Sequence, residues 1–225
     1  MRYTLLVALL LCSSCNPLIG DQLPAEPPPS AAPITTVNTP EVVEFMVEDY
    51  RLCTGVVLAS GYVLSVAHCF ARLNEEQLQA VTIKAGTQIL PVISHVMHPD
   101  YDVENIDSVD LMVVKVSGLR AATRTLLGPS TPTVQIELPD GPSLGVKVDR
   151  SYKCVDSSRT TADDDCFTSH LSICHSHSGS PLWSRETKAV IGLVSWAGKA
   201  TPCTNSNVGS QRLDIHTQWI FNQVK

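Results

Sequence analysis

From about residue 40 onward the apolar positions fall in short runs of strand length, without the three-to-four spacing of an amphipathic helix. Gly55-Val56-Val57-Leu58, Tyr62-Val63-Leu64-Ser65-Val66, Val81-Thr82-Ile83, Ile89 to Val96 and Leu111-Met112-Val113-Val114-Lys115-Val116 are β-branched or apolar runs. Val134 to Leu138, Val146-Lys147-Val148, Ala189 to Trp196 and Val208 to Leu213 continue the series. Ser60-Gly61, Asp140-Gly141 and Ala197-Gly198 punctuate it as turns. Many short strands at this spacing predict an all-β sandwich or barrel. Two stretches read as helical, Asn74 to Leu78 and Asp214 to Val224.

The first forty residues follow different rules. Met1-Arg2-Tyr3-Thr4 is a short basic start, Leu5 to Leu11 is apolar, and Ser13-Ser14-Cys15 follows. This predicts an export signal over residues 1–14. The segment resembles the lipobox of bacterial lipoproteins, with Cys12 where leucine is preferred; the resemblance implies lipidation at Cys15. The alternative is an ordinary cleaved signal beside a cysteine. Seven of the fifteen prolines lie between Asn16 and Pro40, so residues 15–40 read as an extended linker that precedes a folded domain over 41–225. The expected location is exported, either in a bacterial cell envelope as a lipoprotein or extracellular.

Composition narrows the partners. Apolar residues make up 44% and charged residues 17% of 225, which excludes bulk disorder. The net charge of −6 comes without a basic stripe, which excludes nucleic acid as the expected partner. No run reaches the roughly 18 apolar residues of a membrane span, so membrane contact is expected only through the lipid. Outside the leader six cysteines remain: Cys53, Cys69, Cys154, Cys166, Cys174 and Cys203. An even set in an exported chain suggests three disulfides, with about fifteen pairings open. None of the six forms a C-x-x-C pair, which weakens a metal-thiolate reading.

Three segments carry candidate chemistry. Ser65-Val66-Ala67-His68-Cys69 follows Cys53 by sixteen residues; a lone histidine in an apolar run is ordinarily structural, but here a cystine would pin it. His98-Pro99-Asp100-Tyr101 precedes Asp110 at the mouth of the most apolar strand, where a buried acid needs a hydrogen-bonding partner, with Asp107 as competitor. Cys174-His175-Ser176-His177-Ser178-Gly179-Ser180-Pro181 is ordinarily a turn. Together, in the order His68, Asp110, Ser178 and with Ile191 to Trp196 following, the segments resemble the trypsin–chymotrypsin family over about residues 34–225.

The resemblance implies two packed six-stranded antiparallel β-barrels, about 41–123 and 124–225, with a C-terminal α-helix. It implies disulfides Cys53–Cys69, Cys154–Cys166 and Cys174–Cys203. It implies a serine endopeptidase, a monomer acting on protein or peptide substrates, that needs no metal and no organic cofactor. His68 would be the general base, Asp110 its orienting acid, Ser178 the nucleophile, and the amides of Ser176 and Ser178 the oxyanion hole. Ser172, Ile173, Ser195, Trp196, Ala197 and Gly209 would form the substrate pocket, suiting small or medium apolar side chains before the cleaved bond. Ser195 is also placed to hydrogen-bond Asp110, and Val194 disfavours glutamate specificity.

Two residues depart from the family pattern. Ser176 stands for a glycine, and costs about 1 kcal/mol of strain if the position needs a positive φ. His177 stands for the aspartate that pairs with a newly released N-terminal amine in activated relatives, and the usual R-I-V-G-G start is missing; Ile34-Thr35-Thr36-Val37 is the nearest stretch. That activation switch is therefore expected to be absent, with an acid among Asp163-Asp164-Asp165 as a candidate partner for His177. These departures motivate a second reading, a binding or adhesion module that has lost turnover. A metal site on His170, His175 and His177 is a third.

Overall fold

The computed structural model describes residues 41–105, 108–121, 125, 127–128, 133–138, 144–147, 149–151, 166–197 and 205–224. At 133, 144, 146–147, 149–151, 166–172, 175, 197 and 205–207 it describes the backbone course alone. The export signal, the linker with Cys15, and Asp163-Asp164-Asp165 lie outside the described residues.

In chain order come β1 (Val42–Val47), β2 (Tyr50–Ala59), β3 (Tyr62–Ser65), α1 (His68–Ala71), α2 (Glu75–Ala80), β4 (Val81–Ala85), β5 (Gln88–Met97) and β6 (Met112–Val116). The six strands close into an antiparallel barrel in the order β1-β2-β3-β6-β5-β4. Closure leaves no unpaired strand edge for another chain to extend. Alternation sets the inner face: in β1, Val43 and Phe45 point in. In β2 every residue from Cys53 to Leu58 is buried, because one face fills the barrel and the other is covered by the rest of the molecule.

The second half contains β7 (Thr133–Ile136), β8 (Leu144–Lys147), β9 (Asp149–Ser151), β10 (Cys166–Ser172), β11 (Pro181–Ser184), β12 (Ala189–Ala197) and β13 (Asn205–Arg212). It is a seven-stranded sheet in the order β8-β7-β11-β12-β13-β10-β9, where six strands are expected. The extra count has a simple origin. β8 and β9 stand at opposite edges of the sheet yet are separated in the chain by position 148 alone. β8 pairs with β7 and β9 pairs with β10, so two short strands close together in sequence occupy the two edges and raise the count by one. A 3₁₀ turn at Asp214–His216 then leads into α3 (Thr217–Gln223).

Local signals explain the element edges. Helix α2 begins after Asn74, whose side chain accepts from the Gln77 amide at 2.8 Å while Gln77 accepts from the Asn74 amide at 3.1 Å. This reciprocal cap satisfies two donors that a helix start leaves open. Strand β1 and helix α1 have no counterpart among the expected elements. The V-V-E-F-M-V run does alternate, but its polar glutamate breaks the continuous apolar run used to find the other strands.

The barrel's apolar interior, with Phe45, Leu58, Leu64, Ile83 and Leu111 fully buried, is continuous with Trp183, Leu193, Leu213 and Ile220 from the second half and α3. A separate cluster of Val134, Ile136, Ile173, Leu182, Ile191, Val194 and Val208 fills the second sheet. The two halves thus share apolar core as well as carrying their own.

Candidate active site

His68 opens α1 directly after β3, and the next residue, Cys69, is joined by a disulfide to Cys53 in β2. The imidazole is thereby carried on a short turn stapled to the barrel. Its Nδ1–H donates to Asp110 Oδ2 at 2.7 Å, and its backbone amide donates to Asp110 Oδ1 at 2.9 Å. With the Nδ1 proton committed to the carboxylate, Nε2 is the acceptor nitrogen. The ring stays 40% exposed, so that nitrogen is accessible from the cleft.

Asp110 is 7% exposed. Burial alone would raise its pKa. The hydrogen bond from the His68 ring, the histidine's charge, the Ser195 hydroxyl and the His68 amide outweigh burial and hold the carboxyl below its ordinary value. Ser195 Oγ donates to Oδ2 at 2.5 Å, from a bulge in β12 where the pairing with β13 shifts register. The amide of Asp110 donates to Gln211 Oε1 at 3.2 Å. The acid therefore belongs to the first barrel but is held partly by the second half.

Ser178 follows a 3₁₀ turn at His175–His177. Gly179 makes that turn feasible: its φ is +86°, and a Cβ there would lie 1.9 Å from the Thr54 carbonyl oxygen. Strand β2 grips the turn, with the Thr54 amide donating to the Ser178 carbonyl at 2.8 Å and Thr54 Oγ1 to the Ser176 carbonyl at 2.9 Å. The Ser178 hydroxyl donates to the Ser195 carbonyl at 3.5 Å, not to the imidazole. Both side chains line one cleft of about 580 Å³, together with Asp110, Ile173, Cys174, Ser195 and Trp196. The opposite wall comes from Arg72 and the segment around Tyr101, Asp102 and Glu104. Tyr101 there has its phenol pushed up to about 12, by burial first and then by the Asp110 charge.

The strain expected at Ser176 is not present. Among the described residues the non-glycines with positive φ are Glu48 and Lys188, so the 3₁₀ turn accommodates a serine. His177 is buried and its Nδ1 accepts from the Cys174 amide at 3.1 Å, which closes the turn on itself. Its suggested partners at 163–165 lie outside the described residues, as do the side chains of His170 and His175. Among the described residues the grouping with metal-ligand spacing is Cys53, His68 and Cys69, and its two sulfurs are committed to the disulfide.

Of the pocket residues, Ile173 is buried on the cleft wall, and Trp196 lies against Gly209, where a Cβ would come within 2.0 Å of the indole. The side chains of Ser172 and Ala197 lie outside the described residues. Cys174 is disulfide-bonded; Cys154 and Cys203, and the side chain of Cys166, lie outside the described residues. Arg51, Thr54 and Gln211 reach the site without having been singled out in the sequence. Thr54 sits beside a disulfide cysteine, a signal that could have found it; Gln211 carries none.

A fold of two β units meeting at a cleft that holds a carboxylate-bound histidine and a serine is that of chymotrypsin-like proteins. Comparison with known proteins agrees: the trypsin family profile matches residues 31–220, and the chain belongs to the trypsin family. Trypsin-3 of Salmo salar is 34% identical over 74 residues, 30% of this chain and 29% of its own length. Granzyme E of Mus musculus is 34% identical over 79 residues, 34% and 32% of the two chains. These alignments span about a third of either relative. Among solved structures, kallikrein-related peptidase 10 superposes with a TM-score of 0.68 at 18% identity, covering 86% of this chain and 99% of that one. Neuropsin, a serine protease of mouse brain, gives 0.66 at 18% identity, covering 83% and 95%. At such identity the likeness extends to the fold.

Proposed function

We propose that this protein is an exported serine endopeptidase, with Ser178 as nucleophile, His68 as general base and Asp110 as the orienting acid. The observation that carries the reading is the 2.7 Å bond from His68 to a buried Asp110, in a cleft that also contains Ser178. In this reaction His68 Nε2 takes the Ser178 proton as Oγ attacks a peptide carbonyl. The imidazolium is stabilised by Asp110 and returns its proton to the leaving amine. Water then hydrolyses the acyl-serine by the same base. The amides of Ser176 and Ser178 receive the negative charge of the tetrahedral intermediate, a contribution of roughly 3–4 kcal/mol per donor. To start, the Ser178 hydroxyl leaves the Ser195 carbonyl for the imidazole by a change of staggered rotamer; such bonds are often loose before substrate binds.

Ile173 on the cleft wall and the indole packed over Gly209 favour small or medium apolar side chains before the cleaved bond. The partners are proteins or peptides, and membrane attachment, if present, is through lipid on Cys15. The step draws on side chains and backbone amides alone. The test is covalent labelling by a fluorophosphonate, which requires an activated serine. Wild type is expected to label and Ser178→Ala not to. Equal labelling, or none in either, would leave the binding-module reading, which the uncoupled Ser178 hydroxyl favours.

A further inference from the structure

The turn that carries Ser176 and Ser178 is held from outside by a cation. Arg51, in β2, donates from Nη2 to Ser176 Oγ at 2.8 Å, across 125 residues of sequence. The Arg51 side chain is 19% exposed, and its other terminal nitrogen lies 3.8 Å from Glu44 on the neighbouring strand. Glu44 in turn accepts from Lys84 Nζ at 3.0 Å on β4. A row of alternating charge therefore crosses three strands of the first barrel and ends on the hydroxyl of Ser176. The Lys84–Glu44 pair, with the lysine side chain 43% exposed, contributes little by itself. A charge-assisted bond to a half-buried hydroxyl is stronger and directional. Thr54 Oγ1 holds the carbonyl of the same residue, so both polar ends of Ser176 are fixed to β2. A residue at 176 with no side-chain acceptor, glycine or alanine, would offer Arg51 no such grip.

We propose that Arg51 is a positioning residue for the site: through Ser176 it sets the turn whose amides receive the developing negative charge. Arg51 does this from the first barrel, and serine at 176 becomes the point of attachment. The inference rests on the peptidase reading above.

A double-mutant cycle of Arg51→Met and Ser176→Ala in the full chain tests it, scored by acylation with a p-nitrophenyl ester and by the midpoint of thermal unfolding. Each single variant is expected to slow acylation about tenfold, with KM moving less than about twofold, as a misplaced rather than missing group does. Arg51→Met should add nothing in the Ser176→Ala background, the sign of a shared interaction. Arg51→Lys should recover part of the rate. Wild-type acylation in Arg51→Met, two losses that multiply, or a lowered unfolding midpoint with unchanged acylation would each overturn the assignment alone. A wild-type chain that does not acylate would overturn the peptidase reading, and this inference with it.

Discussion

The first barrel and the second half of the molecule contribute to one cleft by different means. The first supplies His68 and Asp110 from positions fixed within itself: a stapled turn beside a disulfide, and the entrance of β6. The second supplies Ser178 from a turn that Thr54 and Arg51 of the other barrel also hold. Reciprocally, Asp110 receives Ser195 and Gln211 from the second half. The His68–Asp110 pair therefore lies within the first barrel with added support from the second half, whereas the Ser178 turn is gripped from both sides, by Thr54 and Arg51 and by the Val194 carbonyl, which accepts from the Gly179 amide at 2.7 Å. The His68–Asp110 bond is short, and the Ser178 hydroxyl is turned toward its own half.

The largest expected effect breaks the pair inside the first barrel. Asp110→Asn should lower kcat by about 10⁴-fold, because an amide favours the wrong imidazole tautomer. Steady-state ester hydrolysis checks this, with circular dichroism to show the fold retained. A loss below about tenfold would mean that the acid does not orient the base.

Next comes the junction. Gly179→Ala should destabilise the protein by more than about 2 kcal/mol, since the new Cβ would meet the Thr54 carbonyl at 1.9 Å and φ is +86°. Urea unfolding measures it. An equal loss from Gly145→Ala, where a Cβ meets nothing within 4 Å, would deny the junction any special sensitivity.

The smallest effect lies behind the site, at the start of the C-terminal helical segment. His216 is held down to about 4, by burial first and then by the charge of His98. The unfolded chain takes up that proton near pH 6.5, whereas the folded chain refuses it until about pH 4. Stability should therefore fall as pH drops through this window. His216→Gln should flatten the decline, as seen in unfolding midpoints at pH 7 and pH 4.5. An unchanged slope would show that His216 is not the group responsible. Asp110 behaves in the same sense as His216: its contribution is present above the ordinary carboxylate range and disappears as pH falls through its lowered folded value.

The division between the halves also explains what was legible in the sequence. His68, Asp110 and Ser178 sit in local contexts that carry their own signals: an apolar strand before the first, an apolar strand after the second, and a Ser-Gly-Ser-Pro turn around the third. Apart from β1, the strands of the first barrel read well because their apolar runs are continuous. In the second half, β10 is polar along most of Cys166–Ser172 and did not register as a strand. Arg51 and Gln211 carry no local signal, and Thr54 has only its place beside Cys53. Each acts on a residue more than 100 positions away, and no spacing rule connects them. Ser176 was read as a source of strain because a substituted glycine suggests a positive φ; only the turn's geometry reveals that none is required.

The account stands on His68 acting upon Ser178 across the junction, and the rate of fluorophosphonate labelling measures that action directly. Wild type should modify Ser178, identified by mass spectrometry of the labelled peptide, and His68→Ala should slow the reaction by about 10³-fold or more. Labelling of Ser178 at the same rate in both proteins would contradict it.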